Sequence, residues 1–322
     1  MTARRLICVL LIGAGATLLD GCDQAKPADP PAWAYPVGLL AEPPADDGLA
    51  RHLPDSAASF TPAQLRDFNA VADWRPEGHP LMPDVVAHGR KPDLKACAFC
   101  HMPTGDGRPE NASLAGLSYA YIVRQMADFK SGARRSSVPD RVPPKLMISI
   151  AAAATDADIA AAATYFSALK PHAFVQVVES ERVPRTVVKG FVLTPQPGGA
   201  AEPIGERIIE TPEDFDRFEL RDERARYRAY VPPGSLAQGE TIVTSGAGRT
   251  TRCTTCHGVD LKGTGIAPRL AGRSPSYLVR QLYDFRSGAR AGANSAQMKL
   301  VVARLTDPDL VAIAAYLASR AP

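Results

Sequence analysis

Twice in 322 residues the chain spells Cys-x-x-Cys-His, as "CAFCH" at 97–101 and "CTTCH" at 253–257. On a helical turn, residues three and four apart share a face, so Cys97, Cys100 and His101 project together, as do Cys253, Cys256 and His257. Each trio is a clamp for one flat ligand. At this chain's own frequencies a given cysteine has Cys at +3 and His at +4 roughly once in 3,000, so two occurrences carry weight. The two remaining cysteines, Cys8 and Cys22, lie near the N-terminus. Two disulfides or a structural zinc site could also consume the four. The first leaves both histidines without a role, and the second asks for ligands much closer in sequence than these two pairs.

Two thiols at this spacing form thioethers with the vinyl groups of a haem while the adjoining imidazole reaches the iron. The expected cofactors are therefore two covalently bound c-type haems, held by Cys97, Cys100 and His101 and by Cys253, Cys256 and His257. An internal repeat supports this: sliding the chain by 156 residues lays Cys97–Arg134 on Cys253–Arg290 without a gap, with 18 identities in 38 positions. The shared text includes "LAG", then "YIVRQMADFKSGAR" against "YLVRQLYDFRSGAR", which reads as an amphipathic helix ended near Gly132 or Gly288. Each unit closes with a helix announced by Thr and, three residues later, Asp, at Thr155 and Thr306. A short helix is also expected before each motif, in "MPDVVAHGR" and "QGETIVTSG".

The far face of each iron decides whether a haem carries electrons or does chemistry, because a methionine there favours the ferrous state and blocks small ligands. Met147 lies eight residues before Thr155 and Met298 eight before Thr306. Neither sits in a clean periodic apolar helix pattern, so both are the expected sixth ligands, against a bland reading as core filler. Met126 aligns with Leu282 inside a helix and reads as core, and Met102 is too close to His101 to cross the haem. Met82, His52, His79, His88 and His172 read as surface or structural residues. Arg124 and Arg280 suit haem propionates or a solvated helix face, and Tyr121 and Tyr277 suit the pocket wall. Pro268 is placed to offer its carbonyl to the second axial histidine. The first unit has Ala112 there, from which a different histidine orientation is expected.

The N-terminus, "MTARRLICVLLIGAGATLLDGC", joins a basic start to an apolar run too short to span a membrane, which reads as an export signal. Its end resembles a lipoprotein cleavage box that would make Cys22 the lipidated first residue; an ordinary cleaved signal with Cys22 incidental is the alternative. Composition adds exclusions only. At 45 % hydrophobic residues and a formal charge of +3 the chain suits about two small globular domains, with no basic stripe for nucleic acid and no phosphate loop.

With these residues in view, the chain resembles the bacterial di-haem cytochromes c, each unit being similar to the class I domains of the cytochrome c4 and c553 type. The resemblance rests on the two haem motifs, the "LAG" loops, the "YxVRQxxDFxSGAR" helices, Met147, Met298 and the closing helices. It implies an all-α fold of two tandem class I cytochrome c domains. It also implies His101 and His257 as proximal and Met147 and Met298 as distal iron ligands, with one-electron transfer between redox proteins. The expected organisation is a signal at 1–21, a tether and packing segment at 22–80, haem domains at 81–171 and 233–322, and an intervening segment at 172–232. β-Branched runs in that segment suggest a few short strands packed across the haem domains. The expected setting is the periplasmic side of the cytoplasmic membrane, by lipid anchor. Expected partners are a membrane dehydrogenase, a cytochrome complex or a terminal oxidase. A di-haem enzyme of peroxidase or thiosulfate-oxidising type, or a gas sensor, would need one iron left open.

Overall fold

The computed structural model describes residues 29–38 and 46–322. The expected signal at 1–21 and Cys22 lie outside the described residues. None of the described helices is long and apolar enough to cross a membrane.

The first strands form a packing segment: β1 (Arg51–His52) pairs antiparallel with β2 (Ser59–Phe60), followed by α1 (Pro62–Arg66). The first helical unit follows, with α2 (Asp84–Ala87), α3 (Cys97–His101), α4 (Tyr119–Lys130), α5 (Val142–Ala153) and α6 (Asp156–Ala168). Next comes a β-rich stretch: β3 (Val175–Glu179), β4 (Arg182–Pro184), β5 (Thr186–Lys189), β6 (Val192–Pro195), β7 (Ala201–Pro203), β8 (Ile209–Pro212), α7 (Phe215–Glu219) and β9 (Tyr227–Val231). The second unit repeats the first with α8 (Ser235–Ser245), α9 (Thr254–His257), α10 (Pro275–Ser287), α11 (Ser295–Val302) and α12 (Asp307–Ala318).

The helices stop and start where side chains satisfy their end groups. Thr155 and Thr306 cap α6 and α12 with reciprocal bonds to Asp158 and Asp309, and Ser118 and Ser274 accept from the Tyr121 and Tyr277 amides at the starts of α4 and α10. Gly288 closes α10 in the left-handed region at φ 80°, where a side chain would be strained. Each unit then buries its own apolar cluster. Leu117, Ile122, Ile159 and Phe166 belong to the first, and Ile242, Leu278, Leu310 and Leu317 to the second.

The first unit's opening helix α2 is only four residues long, whereas α8 runs for eleven. Glycine explains the closeness of α8 to α12: a Cβ on Gly239 would lie 2.1 Å from the Ala312 carbonyl oxygen. The intervening segment carries seven strands rather than a few. β3 lies parallel to β9 and β8 antiparallel to it in one sheet, with Val175 opposite Tyr227, while β4–β7 and β5–β6 form antiparallel pairs.

That segment holds both units. Buried Glu210 accepts from Ser274 Oγ at 2.7 Å and the Ser276 amide at 3.0 Å, at the start of α10. On the other side Arg108 lies 3.6 Å over the Phe218 ring. Trp74 packs among Leu53, Leu65 and Ala72 and donates to the Leu220 carbonyl at 2.8 Å. Farther upstream, Tyr35 reaches the second unit and donates its hydroxyl to Asp284 and to the Arg280 carbonyl, each at 3.0 Å.

Candidate functional site

Each motif forms a short helix, and each helix presents its two cysteines and histidine to a cavity. The first cavity is lined by Cys97, Cys100, His101 and Met147; the second by Cys253, Cys256, His257 and Met298. All eight candidate residues thus fall into two sets of four, one set per cavity. All four motif cysteines are unpaired. Burial pushes the Cys97 thiol up to about 12 and the Cys253 thiol to about 11, so neither is a thiolate at neutral pH.

The two histidines are prepared in the same way. His101 Nδ1 donates to the Ala112 carbonyl and His257 Nδ1 to the Pro268 carbonyl, both at 2.8 Å. A carbonyl can only accept, so the proton is on Nδ1 and the Nε2 lone pair is free for iron. Burial lowers both imidazoles, His101 to about 4, which keeps them neutral. The expected difference between the units at Ala112 is therefore corrected: the bond uses a backbone carbonyl, which alanine supplies as well as proline.

The methionines also differ from the sequence reading. Met147 lies within α5 and Met298 within α11, so both belong to helices. The low periodicity arises because these helices divide their faces between a cavity and solvent. Met126 lines the first cavity, as its counterpart Leu282 lines the second. Of the histidines set aside, His79 pairs with Asp73 at 3.1 Å and His172 with Asp106 at 2.9 Å, away from both cavities.

Arg124 and Arg280, equivalent in the repeat, part company. Arg124 is exposed beside the second cavity. Arg280 is 3 % exposed at the wall of the first and donates to the Ala34 and Pro109 carbonyls. A solvated face is thus excluded for Arg280, because the first unit and the segment around Ala34 and Tyr35 cover it.

Sequence reasoning missed the arginines between the units. Arg134 and Arg290, which close the repeated "SGAR", pair as an antiparallel bridge, with Arg135 N donating to Ala289 O and Ala291 N to Ala133 O, each at 2.7 Å. Their side chains exchange partners with local two-fold symmetry. Arg134 donates to Gln281 at 2.9 Å and Gln125 at 2.8 Å, and Arg290 to Gln125 at 2.8 Å and Gln281 at 3.1 Å. Such a self-complementary contact explains why the repeat shares these residues. Tyr121, Gln125, Arg273, Tyr277 and Gln281 line both cavities, which are therefore separated by one layer of side chains.

This wall is electropositive. Arg141, 3 % exposed at the first cavity, has no partner for Nε or Nη2, and Arg273, at both cavities, has none for Nε among the described residues. Burial, followed by neighbouring Arg280, pushes Arg141 down to about 9. Tyr277 would be raised by burial, but Arg134, Arg273 and Arg290 hold it near 8. Buried guanidiniums short of anions are what carboxylates of a bound group would complete, so the residues present fit haem with its propionates.

The sequence profile of the family described as Cytochrome c matches residues 237–321. Cytochrome c-554(548) of Halomonas halodenitrificans is 41 % identical over 69 residues, 21 % of this chain and 83 % of that protein. Cytochrome c4 of Azotobacter vinelandii is 29 % identical over 227 residues, 69 % of this chain and 82 % of its own. The thiosulfate dehydrogenase electron acceptor of Thiomonas intermedia is 28 % identical over 232 residues, 71 % and 80 % of the respective chains. The chain belongs to the cytochrome c family. Within it, the two cavities and the span of the similarity define a di-haem class I cytochrome c of tandem domains with covalently bound c-type haems, an electron carrier rather than an enzyme.

Proposed function

We propose that this protein is an exported, periplasmic carrier, held to the membrane by a lipid on Cys22, that passes single electrons between redox proteins. In this reading residues 81–171 and 233–322 are the haem domains, and the segments at 22–80 and 172–232 hold them together. Cys97 and Cys100, and Cys253 and Cys256, would hold the haems by thioethers, and His101 with Met147 and His257 with Met298 would ligate their irons. The observation that carries it is the matched pair of cavities, each with its own Cys, Cys, His and Met, sharing one wall.

Each haem supplies one reversible electron between ferric and ferrous iron. The chain's residues set the conditions for that exchange. The Ala112 and Pro268 carbonyls aim His101 and His257 and raise the basicity of their free nitrogens. Met147 and Met298 would supply the sixth ligand that shuts out small ligands, and the apolar walls exclude water. Arg141, at the first cavity, and Arg273, at both, would hold the propionates of bound haem. Similarity to a thiosulfate dehydrogenase electron acceptor supports a dehydrogenase as electron donor, and a lipid anchor would keep the carrier beside membrane-bound acceptors.

Carbon monoxide titration of the fully reduced holo-protein tests this. Neither haem takes up the gas if both methionines are bound. Stoichiometric uptake at one haem would overturn the carrier reading in favour of an open, reactive iron.

A further inference from the structure

The two motif turns are one device built twice, yet their surroundings differ. In the first, Ala98 and Phe99 are 1 % and 7 % exposed. Phe68 packs on the Phe99 ring with centroids 4.3 Å apart, and Arg221, from the intervening segment, lies 3.8 Å over the same ring while donating to the Phe99 carbonyl. The second turn has Thr254 and Thr255 in those places; Thr255 and Cys256 are exposed, and nearby Val259 is 93 % exposed. Of the residues lining the first cavity only Arg135 is exposed, whereas Thr251, Arg252, Cys256, Ile266, Asn294 and Gln297 are exposed around the second.

A thioether sulfur is joined to the haem edge through the former vinyl carbon, so an exposed Cys256 would bring that edge near the surface. The exposed charged residues that line the second cavity or lie within six residues of Cys256 are Arg124, Arg252 and Lys262 against Asp260, an excess of positive charge about an apolar centre. Such an arrangement selects a partner of opposite sign and speeds its encounter.

We propose that the second haem is the single port for exchange with other proteins. The Cys256, Val259 and Ile266 edge docks against a redox protein whose own cofactor edge sits in an acidic rim. The Phe68 and Arg221 cover closes the first haem to such partners. The inference rests on the carrier reading. An electron held in the first unit leaves through the shared Tyr121 and Tyr277 wall, and donor and acceptor take turns at one surface.

Stopped-flow oxidation of the reduced holo-protein by hexacyanoferrate(III), at low ionic strength, follows each electron: one ferrous haem becomes ferric for each hexacyanoferrate(III) reduced to hexacyanoferrate(II). Lys262→Glu slows at least about threefold every phase whose rate rises with oxidant concentration, because the probe is a trianion. The pair Arg221→Ala and Phe68→Ala, which uncovers the first turn, adds a concentration-dependent phase that Lys262→Glu does not slow. Finding such a phase with Arg221 and Phe68 intact overturns the single port. Hydrogen exchange reads the cover without electrons. Amides 98–100 exchange more slowly than 254–256, and the uncovering pair removes the difference; equal exchange in the unaltered protein overturns the closure. Carbon monoxide uptake by the reduced protein would instead sink the carrier reading, and the port with it.

Discussion

A buried imidazole serves iron only if it is neutral and pointed, and both conditions here come from one backbone bond plus burial at His101 and at His257. In the proposed reading Met147 and Met298, which line the same two cavities, would supply the other iron ligand. Met147→Ala should open one iron: the first haem's potential falls by on the order of 0.1 V, within the roughly 0.8 V that axial ligands command. Carbon monoxide then binds one haem, and the second haem's potential in spectroelectrochemistry stays in place. An unchanged first potential would exclude Met147 as a ligand. His172 offers a test by pH. Its bond to Asp106 raises its pKa, so the stability it contributes is full below the unfolded value near 6.5 and is lost as pH rises through the raised folded value. The melting temperature of the protein relative to His172→Gln should therefore be higher at pH 5.5 and converge by pH 8.5. The gain stays under about 1 kcal/mol because the pair is solvent-screened.

At the scale of the elements, duplication gave each unit the same capped helices, and packing then made them unequal. α8 and α12 meet at Gly239, where a methyl group would strike the Ala312 carbonyl. Alanine would favour the helix by about 1 kcal/mol, but separating two packed helices costs more, about 1–3 kcal/mol by overpacking. Gly239→Ala should accordingly lower the denaturant midpoint of the second unit while leaving the first unit's transition in place. The helix starts at Thr155 and Thr306 were legible in sequence because a cap is a local bond. The placement of Met147 and Met298 inside helices was not, because a helix divided between a haem cavity and solvent lacks a regular apolar stripe. The cover over the first motif left a local trace that went unread: Ala98 and Phe99 are apolar where Thr254 and Thr255 are polar.

For the whole molecule the decisive contact is the two-fold exchange of Arg134 and Arg290 with Gln125 and Gln281. Gln125 Oε1 accepts from both arginines, so Gln125→Ala leaves two buried guanidiniums short of a partner. It should cost about 1–3 kcal/mol, read by denaturant unfolding of the holo-protein. With Gln281→Ala added the losses should be non-additive, since the four side chains form one network. An additive result would mean the units touch there without mutual support. The sequence alone determined the chemistry that is local: haem attachment through Cys-x-x-Cys-His, the doubling of the unit, and the caps that begin its helices, because each depends on residues a turn apart. Tertiary structure decided what depends on distant residues meeting. It buried Arg280 and left Arg124 in solvent, gathered Arg134, Arg273 and Arg290 around a shared wall, and laid Arg221 over Phe99 across 122 residues of chain. No local pattern encodes such a meeting, because the partner that covers, pairs or exposes a side chain is chosen by packing of the entire chain.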